Sequence, residues 1–310
     1  MAVRRPSRSM LPSSRSMLPL LAAGLCLAAC GAMRNSSSPT TISTTAQPVT
    51  PTTLEQPGWT VVSESHGVAL ADRRTVHLAD GNVVTIYRFR VGRTSFALHA
   101  GSEDPPGAAA SVGPTAGPAI TRAEAPRLIA AFNGGFKVAT GSGGFQAAGH
   151  LVIPLHRNFA SLVIDRNGDA HVGVWGQDLP YRGERIWSVR QNLQPLVMSG
   201  RPSPLINDVA AWGVTLGGVP QVARSAVGQD ARGNLLFAAS MHALPPDLAT
   251  SLLEAGAVRA MELDINPYWV QLASTPRPGG WLVAGIPNQE RPGNQFVVGW
   301  TRDFVTVLAR

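Results

Sequence analysis

The sequence is short of thiols and lysine, and each shortage closes off a class of chemistry. Its only cysteines are Cys26 and Cys30. No residue after position 30 can therefore supply a thiolate nucleophile, a cysteine–zinc site or a disulfide. Lys137 is the only lysine, so arginine carries nearly all the positive charge. The formal net charge is +7, but Arg4, Arg5, Arg8 and Arg15 account for four of it, and no acid lies in residues 1–29, which leaves +3 for the rest. A field that weak, with no basic run interleaved with aromatics, argues against a nucleic-acid partner. There is no Gly-x-Ser-x-Gly nucleophile elbow and no P-loop, and glycines 141, 143, 144 and 149 do not complete a dinucleotide fingerprint. The seven histidines are scattered, without a His-Glu-x-x-His or His-x-His pair. His150 and His156 could meet across a loop, but the expectation is no metal and no cofactor.

What is present begins with a basic segment and an apolar run, Met17 to Ala29, too short to cross a bilayer as a stable helix. The run ends in Leu27-Ala28-Ala29-Cys30-Gly31, which resembles the lipobox of bacterial lipoproteins. That resemblance implies a signal peptide over residues 1–29 and lipidation of Cys30. The protein would then be exported and anchored to the outer face of the cell membrane. The plain alternative is a secretory signal cut near Ala29. Residues 30–57 are rich in Ser, Thr and Pro and read as a disordered tether. Residues 58–310 are enough for one domain with a substantial core.

Within that domain strand signals outnumber helix signals. Val83–Val91 and Ser95–Ala100 read as a hairpin, and so do Phe159–Asp165 and Ala170–Trp175 around Arg166-Asn167-Gly168-Asp169. Pro195–Met198, Trp212–Leu216, Arg224–Val227, Leu235–Ser240 and Val258–Asp264 read as further strands. Phe296–Trp300 and Phe304–Leu308 read as a closing hairpin. Thr121–Ile129 has a short helical pattern. The clearest helix is Pro246–Ala255, with Pro in its first turn, Leu248, Leu252 and Leu253 on one face, and Gly256 as its stop. The expected fold class is α+β: mixed, mostly antiparallel β-sheets with a few short helices.

Three stretches carry candidate chemistry. Asn133-Gly134-Gly135-Phe136 closes an apolar strand with glycines, which allow a tight turn or close backbone approach to a ligand. The Asn133 amide could orient a substrate hydroxyl or a phosphate oxygen. Arg224 opens an apolar strand, and its guanidinium suits a phosphate or carboxylate; a salt bridge is the ordinary alternative. Glu262 and Asp264 are two apart in a strand, so they share a face, with Met261, Leu263 and Ile265 opposite. Paired acids can perturb each other's titration, as acid/base or nucleophilic catalysis requires.

In this order the stretches resemble the phosphodiester glycosidase domain family, that of the mannose 6-phosphate uncovering enzyme. The likeness rests on Asn133 to Phe136, Arg224 to Gly228, the helix before Gly256 and Leu263-Asp264. It also takes in Asn192 to Gly200 and Glu290-Arg291-Pro292, and covers roughly residues 125–310. Ile265-Asn266-Pro267-Tyr268 stands where the family has Gly-Gly-Gly-Ser, so Asp264 carries over but the glycine cradle after it does not. The resemblance implies a cell-envelope hydrolase that cleaves a sugar from a sugar-1-phosphodiester. Asp264 would be its catalytic carboxylate, nucleophile or acid/base, with Glu262 as partner on strand geometry alone. Arg224 would neutralise the phosphate, and Asn133, Gly134 and Gly135 would position the substrate. The alternative is a non-catalytic envelope-glycan binding lipoprotein on the same scaffold, with Tyr268 and Trp269 stacking on sugar.

Overall fold

A computed structural model describes residues 58–213 and 218–310. The lipobox, Cys30 and the tether lie outside the described residues, as does most of the strand expected at Trp212–Leu216.

Three antiparallel sheets form the domain. The largest runs Thr60–Ser65, Val68–His77, Val83–Phe89, Leu235–Ala243, Val222–Asp230, Ala257–Ile265, Pro195–Met198 and Arg201–Pro202. A second runs His150–Ile153, Phe145–Ala147, Ile186–Gln191, Ala160–Asp165 and Ala170–Val174. The third runs Val283–Ala284, Leu272–Ser274, Leu128–Asn133, Phe304–Ala309 and Thr94–His99. The α+β class with mostly antiparallel sheets is what the molecule has, and its helices are few and short.

The main core joins all three sheets. Phe89, Phe132 and Phe237 meet there, with ring centroids 6.1 Å and 4.9 Å apart across Phe89–Phe132 and Phe132–Phe237. Met261 and Leu263 enter it from the strand Ala257–Ile265. The opposite face of the large sheet is not open to solvent. The helix Pro245–Glu254 places Leu248 and Leu252 there, against Val84, Ile86, Ala226, Ala238 and Ala260. The central strands of this sheet are therefore buried on both faces, and a polar side chain on either face needs a partner inside the protein.

Three local expectations fail, each because a distant partner outweighs a near one. Val83–Phe89 and Thr94–His99 are not a hairpin: the chain turns at Arg90–Arg93 and passes from the first sheet to the third. Phe296 and Trp300 do not belong to a closing hairpin. Gln295–Val298 is a short helix whose Phe296 stacks on Phe304, with centroids 4.8 Å apart. The helical pattern at Thr121–Ile129 yields only the 3-10 turn Ala125–Arg127. There Glu124 is drawn into hydrogen bonds with Thr121, His99 and Thr306 instead of a longer helix. Val209–Trp212 is a 3-10 turn that buries Trp212. The hairpin Ala160–Asp165 with Ala170–Val174 and the helix before Gly256 stand as the turn and cap signals imply.

Candidate active site

A cavity of about 530 Å³ opens where the strand Ala257–Ile265 ends, beyond the cover of the helix. Phe136, Lys137, Asp264, Ile265, Trp269 and Arg302 are the lining residues that bear on its chemistry. Of the catalytic and substrate-positioning residues expected from the sequence, Asn133, Gly134, Gly135, Arg224, Glu262 and Asp264, only Asp264 lines it. Among the described residues it is also the only carboxylate in those walls.

Asp264 is held at both oxygens. Arg302 Nη2 lies 2.8 Å from Oδ2, and the Ile265 N–H donates to Oδ1 at 2.9 Å. Arg302 also donates to the Gly135 carbonyl at 2.9 Å and faces Asp104 Oδ2 at 3.6 Å. Burial pushes the Asp264 carboxyl up to about 7, and the Arg302 charge pulls against that rise. A carboxylic acid that titrates near neutrality in a cavity wall is suited to proton transfer.

Glu262 and Asp264 do not share a site: the pairing with Val222–Asp230 shifts register between Glu262 and Ile265, so the simple alternation expected of the strand breaks between the two acids, and Ile265 lines the cavity beside Asp264. Glu262 lies under the helix, fully buried, with Oε1 2.7 Å from Arg224 Nη1. Burial pushes the Glu262 carboxyl up to about 8, against the pull of the guanidinium. Arg224 is equally buried, and its remaining donors reach the carbonyls of Ala243, Trp212 and Pro220. It has no exposed edge to offer a phosphate, and the pair is structural. Removing one member strands its buried partner, which costs about 3–5 kcal/mol. Arg224→Met should lower unfolding free energy by about that amount, read from urea titration. The folded remainder should keep its ligand affinity. A stable Arg224→Met protein with lost affinity would return Arg224 to the site.

The Asn-Gly-Gly-Phe stretch also acts as scaffold. Asn133 Nδ2 donates to the Gly134 carbonyl and to Ser225 Oγ, both at 2.9 Å, and its Oδ1 accepts from Gln271 N at 3.1 Å. Ser225 Oγ in turn donates to the Asp264 carbonyl at 2.9 Å, and Asp264 N donates to the Gly134 carbonyl at 3.1 Å. Asn133 thus fixes the backbone that carries Asp264 and presents no group to the cavity. The glycines are needed for space. A Cβ on Gly134 would fall 1.8 Å from Asp303 Oδ2, and one on Gly135 2.8 Å from Arg190 Cζ. Arg190 and Asp303 form a wholly buried ion pair at 2.8 Å, and Arg190 also donates to the Phe136 carbonyl. The close approach read from the glycines is real, but it is to this ion pair.

Sequence reasoning passed over Arg302, Asp303 and Arg190. The available signal was Arg302-Asp303 leading directly into the wholly buried strand Phe304–Ala309, a place where charges must be paired. Tyr268, one of the two aromatics expected to stack on sugar, is exposed outside the cavity; Trp269 lines it.

The segment after Asp264 turns at a residue with positive φ. Asn266 has φ 91°, in the left-handed region that Asn tolerates better than most residues. Its N–H donates to Ala223 O, while Tyr268 N and Trp269 N donate to Asn266 Oδ1 and O. Those N–H groups are engaged within the protein and form no anion cradle.

The sequence matches no protein-family model and no curated protein. The fold is similar to the catalytic domain of zebrafish N-acetylglucosamine-1-phosphodiester alpha-N-acetylglucosaminidase, at TM-score 0.51 and 16% identity over 86% of this chain and 92% of that one. A hypothetical protein from Synechocystis is similar at TM-score 0.44 and 14% identity, over 77% of this chain and 62% of the other. The relationship is a distant one of fold. Among the described residues no helix is long and apolar enough to cross a membrane, and no cluster of acidic, histidine or cysteine side chains could hold a metal.

Proposed function

We propose that the protein is a cell-envelope hydrolase that releases a sugar from a sugar-1-phosphodiester, with Asp264 as its reacting carboxylate. The observation that carries this reading is the isolation of Asp264 in its cavity. Ordinary glycosidases place two carboxyl groups about the bond, one to protonate the leaving oxygen. A phosphodiester does not need that proton. The departing group is a phosphomonoester, whose conjugate acid has a pKa of about 6, so it leaves as an anion. One carboxylate then suffices, either attacking C1 or deprotonating the water that does. In both cases the C1–O bond breaks with its electron pair on the phosphomonoester oxygen, and water supplies the new sugar hydroxyl. The distant fold likeness to a phosphodiester glycosaminidase domain supports the same reading.

The reading fixes the sign of the pH dependence. Asp264 must be ionised to act as nucleophile or base, and its carboxyl sits at about 7. kcat/KM for a sugar-1-phosphodiester should therefore rise with pH through about 7 and level off above it. A rate that falls across that window would make Asp264 a general acid instead.

A second reading, a glycan-binding protein without turnover, draws on Ile265 and Trp269 in the cavity wall and on the engaged N–H groups beyond Asp264. Saturable binding of envelope glycan with no product after prolonged incubation would favour it. Export and lipid anchoring at Cys30 belong to the same proposal; mass spectrometry of a diacylglyceryl-modified Cys30 at the mature N-terminus tests them.

A further inference from the structure

With Arg224 buried, the charge that would meet a substrate phosphate must come from elsewhere. Arg302 is the nearer arginine, but it is paired with Asp264 at 2.8 Å and faces Asp104. Below it, Arg190 is neutralised by Asp303. These pairs leave the cavity floor close to neutral. Lys137 is different. It follows Phe136 directly, is exposed at the cavity wall, and has no carboxylate within ion-pair reach among the described residues. Its ammonium lies 5.8 Å from the Trp269 ring centroid, on the same wall as Asp264.

The base under Lys137 is rigid. The Phe136 N–H donates to Asn192 Oδ1 at 3.1 Å, the Phe136 carbonyl accepts from Arg190, and the Lys137 carbonyl accepts from Thr140 Oγ1 at 2.6 Å. The side chain is therefore a mobile cation on a fixed stem. A lysine ammonium is a compact point charge with three rotatable donors, able to follow an anion that moves as a bond breaks.

We propose that Lys137 and Trp269 form an anion-plus-ring subsite that selects monoanionic sugar phosphodiesters over uncharged glycosides. This rests on the reading of the cavity as a phosphodiester site and deepens it. Trp269, whose ring centroid lies 5.8 Å from the Lys137 ammonium and 5.0 Å from Arg302 Cζ, would meet the sugar ring with the edge it turns to the cavity, and Lys137 would meet the phosphate oxygens. One unpaired cation matches the single charge of a phosphodiester. It replaces the backbone N–H cradle that the residues after Asp264 no longer offer.

The test separates binding from turnover by keeping Asp264, whose carboxylate neutralises Arg302, and by using a charged probe that cannot be cleaved. Two probes are titrated by calorimetry at low salt: the methyl diester of N-acetylglucosamine-1-phosphate with CH2 in place of its scissile oxygen, and uncharged methyl N-acetylglucosaminide. With Lys137 intact the diester should bind about tenfold or more tightly than the glycoside, as one charge-assisted contact provides. Lys137→Gln should bring that ratio near one without changing affinity for the glycoside, and Lys137→Arg should keep most of it. Raising the salt should weaken only the diester. The proposal is overturned if Lys137→Gln leaves the ratio unchanged, if both probes weaken together, or if the Lys137 protein prefers neither probe. Wild-type turnover by the Asp264→Asn protein would sink the catalytic reading instead, and the ratio would still decide the role of Lys137.

Discussion

Asp264→Asn should lower kcat for a sugar-1-phosphodiester by on the order of 10³-fold with little change in KM. Asn has nearly the same shape and can still face the Arg302 guanidinium through its carbonyl. It cannot accept a proton at neutral pH or attack a sugar carbon as an anion. The loss should fall on kcat because the ground-state contacts proposed for the ligand, Trp269 and Lys137, are untouched. The substitution leaves Arg302 with Asp104 as its remaining carboxylate neighbour, 3.6 Å away, so a modest loss of stability accompanies it. The urea midpoint must accompany the kinetics, to separate a folded inactive protein from an unfolded one. A folded Asp264→Asn protein with undiminished kcat would remove Asp264 from the chemistry.

Gly134→Ala should be among the most damaging small substitutions in the domain, and its effect should be on folding. The added methyl would fall 1.8 Å from Asp303 Oδ2 and 2.8 Å from the Asp303 carbonyl oxygen. Asp303 cannot swing aside, because Arg190 holds it in a pair with no exposure to solvent. Overpacking alone costs about 1–3 kcal/mol. Separating a buried pair adds about 3–5 kcal/mol. A combined loss of about 5 kcal/mol would consume much of a typical margin of about 5–15 kcal/mol. Soluble yield and urea unfolding read this directly. If Gly134 served ligand approach, Gly134→Ala would fold normally and lose binding, and that result would refute the packing account.

The sequence was most legible where one local rule decides. Asp-Gly and Asn-Gly turns, the proline-led helix and the alternation of strands gave the fold class and several elements. It was least legible where coverage by a distant element decides. Glu262 and Asp264 have the same spacing rule behind them, yet one lies under the helix Pro245–Glu254 and the other just past it. Nothing within nine residues of strand distinguishes them. Asn133-Gly134-Gly135 was correctly marked as unusual, but its partner, the Arg190–Asp303 pair, joins residues 113 apart in sequence. Arg224 read as a phosphate ligand, with a salt bridge as the alternative, because the acid that neutralises it lies 38 residues on, in the neighbouring strand of the sheet. The cations and carboxylates stood out in the sequence; their pairings did not.

The central claim is that the bond broken lies between the sugar carbon and the phosphate oxygen. It is tested most directly by hydrolysing N-acetylglucosamine-1-phosphate methyl diester with the wild-type chain in water enriched in oxygen-18. The products are then weighed by mass spectrometry. The account predicts methyl phosphate free of label, with the heavy oxygen on the anomeric carbon of the released sugar. Label in the phosphate would show attack at phosphorus and contradict the glycosidic assignment, and an absence of both products would contradict the hydrolase itself.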